Sequence, residues 1–552
     1  MRRRTLLKAS AGAVALPTLA GTAVAGTGSQ DESFEPLDSV EIDGARDAAV
    51  HHDGEIAYVA ANDGFAVVDI SDPGSLEVLA ERRGIDLGGS ATLQTLWDIW
   101  PWEDRVVVSG PAQPTEGSAQ GFALFDVSDP ANPEQVASVG DLFYTHNSYF
   151  EDGIVYLVGS GLIRQEGRFP LVMYDVTDDD PEEVARWSPV DADERWADVP
   201  LGQRILHDAY VQDGIAYLPY WDAGTFIVDV SDPTAPEILD RVGDYTHEEL
   251  TGIERGESRL ESFIPPGNAH YAQVNEDGTL LVVGKEAWST GSGEGGAGGI
   301  DLYDVSDTEN AEHLATIDPP EAHDQNRSGY FTTSHNCDIV DGRLYTSWYF
   351  GGVKIHDVSD PANPQELAWW REPTETCFWT AQAAAPGEFF IGSSANPPTE
   401  SDRREPLQGR LFTFPDRAGE QPDPPDLTNS PAELLGTGGN DAENSSGNGA
   451  ENGAENGNGN GGENGAENGN GNGGENGSEN GSENGMENGS ESSDENGSEN
   501  GGENGGESPT ETGNDDSADD DGPGFGIGGA LTAIGGAGYM LSRRLGGDED
   551  NE

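Results

Sequence analysis

The sequence predicts an all-β fold, a seven-bladed β-propeller, and three observations support this. A stretch that reads VKIHDVSDPANPQELA at 353–368 recurs along the chain in near copies. Repeats of roughly 40–50 residues that are rich in short strands are typical of propellers. Asp-Gly pairs, a strong hairpin signal, precede five of the copies, and a degenerate seventh unit follows the sixth. The Asp that opens the D-[IV]-[ST]-D motif falls at 69, 126, 175, 229, 304 and 357.

The fourth unit shows most clearly how one repeat becomes one blade. Its strands are predicted at 207–212, 215–220, 225–230 and 237–242. Asp213-Gly214 joins the first pair of strands, and a Ser-Asp-Pro turn joins the last pair. Each repeat therefore supplies four antiparallel strands.

The seventh unit lacks a fourth strand, and the start of the chain offers one. The unit reads WTAQAAAPGEFFIGSS at 379–394 and GRLFTFPD at 409–416, with Thr413 in the place of the repeat Asp. PLDSVEIDG at 36–44 is similar to the fourth strands of other units. We expect this N-terminal strand to complete the last blade, which closes the ring and removes its open edges.

The repeated DVSDPANP resembles the LVIVD-repeat family of surface propellers, and the segments YTHNSY and LHDAY resemble the related choice-of-anchor family. The resemblance covers about 36–416. It implies an exported surface protein and leaves the activity open, because propellers carry many unrelated functions.

Residues 1–25 are predicted to be an export signal. RRTLLK at 3–8, with Arg3 and Arg4, precedes an uncharged Ala-rich run and is similar to a twin-arginine signal. Ala23-Val24-Ala25 fits the cleavage site. The twin-arginine export machinery is then a partner, and because it carries folded proteins, a cofactor loaded inside the cell is compatible with this route.

The composition is extremely acidic, with 103 acidic and 27 basic residues and a net charge of −76. Residues 441–521 hold only 22 of the acids, so 81 acids remain elsewhere. Self-repulsion of this size is screened only by concentrated salt, and we therefore expect a haloarchaeal source. The negative field excludes nucleic acid as a partner.

Residues 36–417 are assigned to the propeller and 418–522 to a disordered acidic spacer rich in Asn, Gly and Glu, which has too few apolar residues for a core. Cys337 and Cys377, in neighbouring blades, are either a disulfide or two buried thiols. Sites for N-glycosylation are Asn326, Asn444, Asn476, Asn480, Asn488 and Asn496.

Residues 523–552 are predicted to be a sorting signal. Pro523-Gly524-Phe525 precedes an apolar span that ends at Arg543-Arg544, and together they resemble the archaeal PGF-type signal. The resemblance implies that an archaeosortase removes the transmembrane helix and leaves a lipid-linked C-terminus. A retained helix would place the protein on the same surface, the outer face of the cytoplasmic membrane.

The long connections of the propeller are predicted to lie on one face of the ring. Connections between strands two and three, and between blades, share a face, whereas the tight turns share the other. Loops on a rigid scaffold are where binding residues accumulate. We therefore expect the loop-rich face to bind a ligand or protein partner.

Four histidines occupy one repeat position on that side: His146, His207, His270 and His335. The same repeat position is occupied by Asp47 in blade one and by Asp98 in blade two. The residues that directly follow three of the histidines are candidates to orient the imidazole rings: Asn147, Asp208 and Asn336. A ring of imidazoles suits a divalent transition metal such as zinc or copper. His247 and His323 are candidates to cap this site.

Two interpretations of the histidines remain open. They either bind metal or join neighbouring blades through backbone carbonyls. Bound metal would favour an exported metal-dependent oxidoreductase or hydrolase, similar to copper-dependent seven-bladed propellers. Without metal, a surface binding protein is the better interpretation. No nucleotide loop or nucleophile elbow occurs in the sequence, and no catalytic residue is assigned.

Overall fold

The protein is a seven-bladed β-propeller of the expected all-β class. We describe a computed structural model, whose described residues are 33–162, 167–254, 256–395 and 407–434. Seven antiparallel sheets of four strands follow one another along the chain, and the sheet of blade six gains a short fifth strand.

The strands of the first four blades are as follows. Blade one contains β2 (Ala45–Val50), β3 (Ile56–Ala61), β4 (Gly64–Asp69) and β5 (Glu77–Arg83). Blade two contains β6 (Ile99–Trp102), β7 (Arg105–Gly110), β8 (Gly121–Asp126) and β9 (Glu134–Val139). Blade three contains β10 (Ser148–Glu151), β11 (Ile154–Val158), β12 (Leu171–Asp175) and β13 (Glu182–Trp187). Blade four contains β14 (Tyr210–Gln212), β15 (Ile215–Pro219), β16 (Thr225–Asp229) and β17 (Glu237–Val242).

The remaining blades complete the ring. Blade five contains β18 (Ala269–Val274), β19 (Leu280–Lys285), β20 (Ile300–Asp304) and β21 (Glu312–Ile317). Blade six contains β22 (Cys337–Val340), β23 (Arg343–Ser347), β24 (Val353–Asp357) and β25 (Gln365–Trp370), with the short β29 (Gly419–Glu420) alongside β25. Blade seven contains β26 (Phe378–Ala385), β27 (Phe389–Ser394), β28 (Arg410–Pro415) and the N-terminal β1 (Asp38–Glu41).

The N-terminal strand closes the ring as predicted. β1 pairs antiparallel with β28, and Val40 lies opposite Leu411. The prediction that Thr413 takes the place of the repeat Asp was wrong. In blade one, the repeat residue Asp69 lies opposite Ile56, the first residue of β3. In blade seven, the residue opposite the first residue of β27, Phe389, is Pro415. Blade seven needs no turn at this point because its fourth strand comes from the other end of the chain.

The repeated Asp has a local structural role that explains the motif. In blade four, Oδ1 of Asp229 accepts hydrogen bonds from the backbone N of Ser231 at 2.9 Å and from its hydroxyl at 2.6 Å. The same pair of bonds recurs in blades one to six and fixes the turn between strands three and four. These bonds lower the pKa of Asp126, Asp175, Asp229, Asp304 and Asp357.

The Asp-Gly turns between strands one and two also behave as predicted. Asp213 and Gly214 have φ values of 53° and 80°, and Asp341 and Gly342 have values of 52° and 73°. Two consecutive positive φ angles define the hairpin turn whose twist matches that of the strands it joins.

The core lies between neighbouring blades, where aromatic and branched side chains of adjacent sheets interlock. Trp348, Tyr58 and Phe226 are among the largest fully buried side chains. Cys337 and Cys377 are both buried free thiols, so they do not form the disulfide that was one of the two alternatives.

In the described part of the chain, six short helices lie in the connections of blades three and four, and one more follows blade seven. The 3-10 turns are Ser160–Leu162, Glu194–Asp198 and Leu201–Gln203, and the α-helical segments are Pro189–Ala192, His247–Gly252, Ser258–Glu261 and Pro431–Leu434. None of the helices in the described part of the chain has the length and apolarity needed to cross a membrane. The predicted export signal, most of the spacer and the whole C-terminal sorting signal lie outside the described residues.

Candidate functional site at the channel mouth

The long connections share one face of the propeller, as expected from the order of strands in each blade. All the short helices between residues 160 and 261 lie in these connections. The first strand of each blade begins on this same side, so its first residues surround the central channel.

The four histidines converge at this mouth. The ring centres of His146 and His207 are 4.5 Å apart, those of His207 and His270 are 3.6 Å apart, and those of His270 and His335 are 4.7 Å apart. Each side chain is at most 9% exposed. The shared repeat position therefore places the imidazoles in mutual contact, with His207 and His270 stacked.

Two tryptophans and an arginine complete the circle. Trp97 contacts His146, and Trp379 contacts both His335 and Trp97. The guanidinium of Arg46 lies 5.7 Å from the ring centres of both tryptophans. Every blade thus contributes one residue to a closed ring, which we call the mouth ring: Arg46, Trp97, His146, His207, His270, His335 and Trp379.

Asp47 and Asp98 do not hold the positions that we expected, because Arg46 and Trp97 contribute to the mouth ring in blades one and two. The spacing count assumed first strands of constant length. In blade one, the strand pairing shifts between Ala45 and Ala48, which changes the count by one residue.

The two aspartates form part of a second, deeper layer. Asp47 accepts a hydrogen bond from the Thr380 hydroxyl, and Oδ2 of Asp98 accepts one from the backbone N of Ser148 at 2.6 Å. Asn147 donates to Asp208 at 2.7 Å in the same layer. Burial raises the pKa of Asp47, Asp98 and Asp208, and the charge of Asp98 raises that of Asp47 and Asp208 further. These carboxyls link neighbouring blades.

Backbone carbonyls orient two of the imidazoles. Nδ1 of His146 lies 2.8 Å from the carbonyl oxygen of Ala112, and Nδ1 of His335 lies 2.7 Å from that of Trp379. Such contacts require a proton on Nδ1, so Nε2 is the unprotonated nitrogen of the neutral ring. Within the described part of the chain, Nδ1 of His207 and Nε2 of His270 have no hydrogen-bond partner.

Glu286 joins the imidazoles, although the sequence analysis did not single it out. One oxygen or nitrogen from each of His270, Glu286 and His335 lies within 4.8 Å of the others. Oε2 of Glu286 is 3.1 Å from Nδ1 of His270, and Oε1 accepts a hydrogen bond from the hydroxyl of Tyr349 at 2.5 Å.

Glu286 carries no repeat signal, because it directly follows β19 at the start of a connection. A search for acids at the start of the connections between strands two and three would have named Asp63, Asp222 and Glu286. Only the folded structure distinguishes Glu286 from the other two.

The protonation states suit a donor site. Burial lowers the pKa of His146 to about 4 and that of His335 to about 3, so both are neutral at pH 7. Burial acts to raise the pKa of Glu286, but His270, His335 and Arg327 outweigh it and hold the pKa at about 2. The neutral imidazole of His335 and the carboxylate of Glu286 are donors in the form that a metal ion requires.

The loops cover the mouth ring with an aromatic layer. Trp288, Phe331, Tyr349 and Phe350 pack in one cluster with the ring tryptophans. Arg327 lies over Trp288 at 4.6 Å from the ring centre.

The predicted caps have other contacts. Nε2 of His247 lies 3.0 Å from the carbonyl oxygen of Arg195, and the backbone N of His323 donates to the carbonyl of Leu427.

Asn326, the predicted glycosylation site within the propeller, is half-buried, and its Oδ1 accepts a hydrogen bond from the backbone N of Ser328 at 3.0 Å.

Comparison with known proteins agrees with the repeat. The sequence model of the LVIVD repeat matches residues 45–81 and 207–244, which correspond to the strands of blades one and four. Both segments are similar to LVIVD repeats. No curated protein matches the chain.

Several solved propellers resemble this propeller at low identity. The β-propeller domain of Cps50 (Swd1) from Myceliophteria thermophila has 9% identity and a TM-score of 0.46, covering 69% of this chain and 99% of that one. U3-55K has 8% identity and a TM-score of 0.45, with coverages of 69% and 98%. The WD40 repeats of RRP9 have 8% identity and a TM-score of 0.45, with coverages of 70% and 99%. The fold assignment rests on the strand pairing and not on these similarities.

Proposed function

We propose that this chain is an exported propeller, anchored at the cell surface of a haloarchaeon, that binds a ligand or protein partner through its loop-rich face. The observation that carries the proposal is the asymmetry of the ring: one face has only tight turns, and the other carries every long connection and six short helices. A rigid ring with insertions on one side is the arrangement that places binding residues on loops.

The chemistry of this face indicates a polar partner. Among the described residues, the exposed large hydrophobic side chains are Leu37, Leu201 and Ile238, and only Leu201 lies in the long connections. A partner is then recognised by hydrogen bonds and charge rather than by a broad apolar patch. The excess of acids favours a cationic or strongly polar surface.

Site-specific photocrosslinking on intact cells tests the binding face. A photoreactive residue at Leu201, on the loop-rich face, should give a discrete adduct. The matched control at Ala235, in the tight turn between strands three and four of the same blade, should give none. Equal labelling from both positions would contradict a one-sided binding surface.

Anchoring is tested separately by deleting residues 523–552. The sorting signal would place Pro523, Gly524 and Phe525 at the processing site for an archaeosortase, with the membrane as partner through the helix or an attached lipid. The deleted protein should move from the envelope fraction to the medium. If the deleted protein remained in the envelope fraction, the anchoring proposal would be wrong, whereas the proposal of a binding face would not be affected.

The convergence of donor groups in the mouth ring favours a second candidate, a metal-dependent oxidoreductase or hydrolase. The carrying observation is the 4.8 Å group of His270, Glu286 and His335. Metal analysis of the full chain purified in concentrated salt tests it. Wild-type protein should contain a transition metal, and replacement of both His207 and His335 should remove it while the circular dichroism spectrum is retained. Metal-free wild-type protein that also fails to take up added Zn²⁺ or Cu²⁺ would end this candidate.

A further inference from the structure

We propose that one divalent transition-metal ion, of the zinc or copper kind, is bound by His270, Glu286 and His335, with the rest of the mouth ring acting as its walls. This inference rests on the second candidate function and replaces the four-histidine set with three specific ligands. It adds an anionic ligand that the repeat pattern does not reveal.

The three donors come from different parts of two neighbouring blades. His270 lies in β18 and Glu286 directly after β19, both of blade five, whereas His335 lies two residues before β22 of blade six. A metal ion here would join the two blades at the channel mouth. Two imidazoles and one glutamate are a known ligand set for zinc, and imidazole also suits copper.

The donors are held in place by outer contacts, as ligands in metal sites usually are. The carbonyl of Trp379 accepts from Nδ1 of His335, which directs Nε2 away from that carbonyl. The hydroxyl of Tyr349 occupies Oε1 of Glu286 and leaves Oε2 on the side of His270. His270 is 3% exposed, and its Nε2 has no hydrogen-bond partner within the described residues. A buried, unpartnered imidazole nitrogen costs stability unless something binds it.

The spacing is compatible with a metal after a small contraction. With tetrahedral bonds of about 2.1 Å, two ligand atoms of a zinc ion are about 3.4 Å apart. The donor atoms here lie within 4.8 Å of one another. A shift of less than about 1 Å per side chain would close the site to that spacing.

Asp222 provides a matched control for Glu286. It is also buried and follows the second strand of its blade, but its two oxygens accept from Asn268 and Gln203, and no imidazole joins it. His146 provides a control within the mouth ring, because it lies outside the group of three.

The experiment uses the full chain, stripped with a chelator in concentrated salt and titrated with Zn²⁺ or Cu²⁺. We expect about one equivalent bound by wild type, with a raised melting temperature. Glu286→Gln and His335→Gln should weaken binding by more than about 100-fold, since outer contacts alone account for 10–100-fold. Asp222→Asn and His146→Gln should bind within a few-fold of wild type. Electron paramagnetic resonance of bound Cu²⁺ should show two coordinated nitrogens in wild type and one in His335→Gln.

The outcomes separate the two claims. If wild type binds neither ion, the second candidate function and this inference both fail. If wild type binds metal and Glu286→Gln binds it equally well, the three-ligand site is wrong and a metal function remains. If His146→Gln loses as much affinity as Glu286→Gln, the ligands are the wider histidine ring. Should Glu286→Gln fail to fold, Glu286→Asp, which keeps the charge but shortens the side chain, must still weaken binding.

Discussion

Asp38 and Thr413 are 375 residues apart in sequence, yet they lie directly opposite each other in adjacent strands of blade seven. The hydroxyl of Thr413 also donates to the carbonyl of Pro73 at 2.6 Å, which ties blade seven to blade one. The two ends of the propeller sequence therefore meet in one sheet, and the ring has a single seam.

The first prediction concerns this seam. A variant that begins at Gly44 lacks β1 and should lose soluble folding, because an open sheet edge and an unclosed ring remain. A variant that begins at Ser33 keeps β1 and the buried Phe34, whose backbone N donates to Glu420, and should fold. Yield and circular dichroism in concentrated salt provide the measurement. If the shorter variant were as stable as the longer one, closure by β1 would contribute nothing.

The second prediction concerns acid stability and His356, which lies in β24 away from the mouth ring. Burial lowers its pKa to about 3, with a smaller contribution from Lys354. In the unfolded chain His356 takes up a proton near pH 6.5, whereas in the folded protein it does not. The free energy of unfolding is therefore unaffected by His356 above pH 6.5 and decreases as the pH falls toward 3.

Protonation of His356 in the unfolded chain should therefore lower the free energy of unfolding by about 2 kcal/mol between pH 7 and pH 5. The variant His356→Leu removes the titrating group and should show a correspondingly shallower loss over the same range. Denaturant melts of both proteins at the two pH values provide the comparison. Parallel pH curves for variant and wild type would show that His356 does not titrate in this way.

The third prediction tests the repeated Asp. Asp229→Ala removes the acceptor for both bonds from Ser231 and should destabilise the protein by about 1–2 kcal/mol, at about 1 kcal/mol for each hydrogen bond. Asp229→Asn keeps an acceptor oxygen and should cost less. The order Asp, Asn, Ala in denaturant midpoints is the expected result, and equal midpoints for Asn and Ala would argue against the turn as the reason for the motif.

The fourth prediction concerns salt. With 81 acids and 27 bases outside residues 441–521, the folded domain repels itself, and the screening length falls from about 10 Å at 0.1 M salt to about 3 Å at 1 M. The melting temperature should rise steeply with KCl. Sucrose favours burial without screening charge and should give a smaller gain. A melting temperature that is independent of KCl would contradict the halophilic interpretation.

The sequence by itself determined the blades. Alternation of apolar residues, Asp-Gly pairs and the D-x-S-D motif are local signals, and each specifies a strand or a turn through its own backbone and nearest neighbours. The fit of 36–44 to the last blade was also readable, because it has the pattern of a fourth strand. Local chemistry repeated in six units, together with a degenerate seventh, was sufficient to predict the ring.

Only the tertiary structure decided the composition of the mouth ring. Counting along the strands placed Asp47 and Asp98 beside the imidazoles, but Arg46 and Trp97 lie there instead. Blade one has a shift in strand pairing between Ala45 and Ala48, and the first turn of blade two begins one residue earlier than we counted, at Glu103. Glu286 meets His270 and His335 because blades five and six curve around one axis, and no spacing in the sequence encodes that curvature. A ring brings together residues from separate repeats, so the position of each donor depends on the packing of all seven blades.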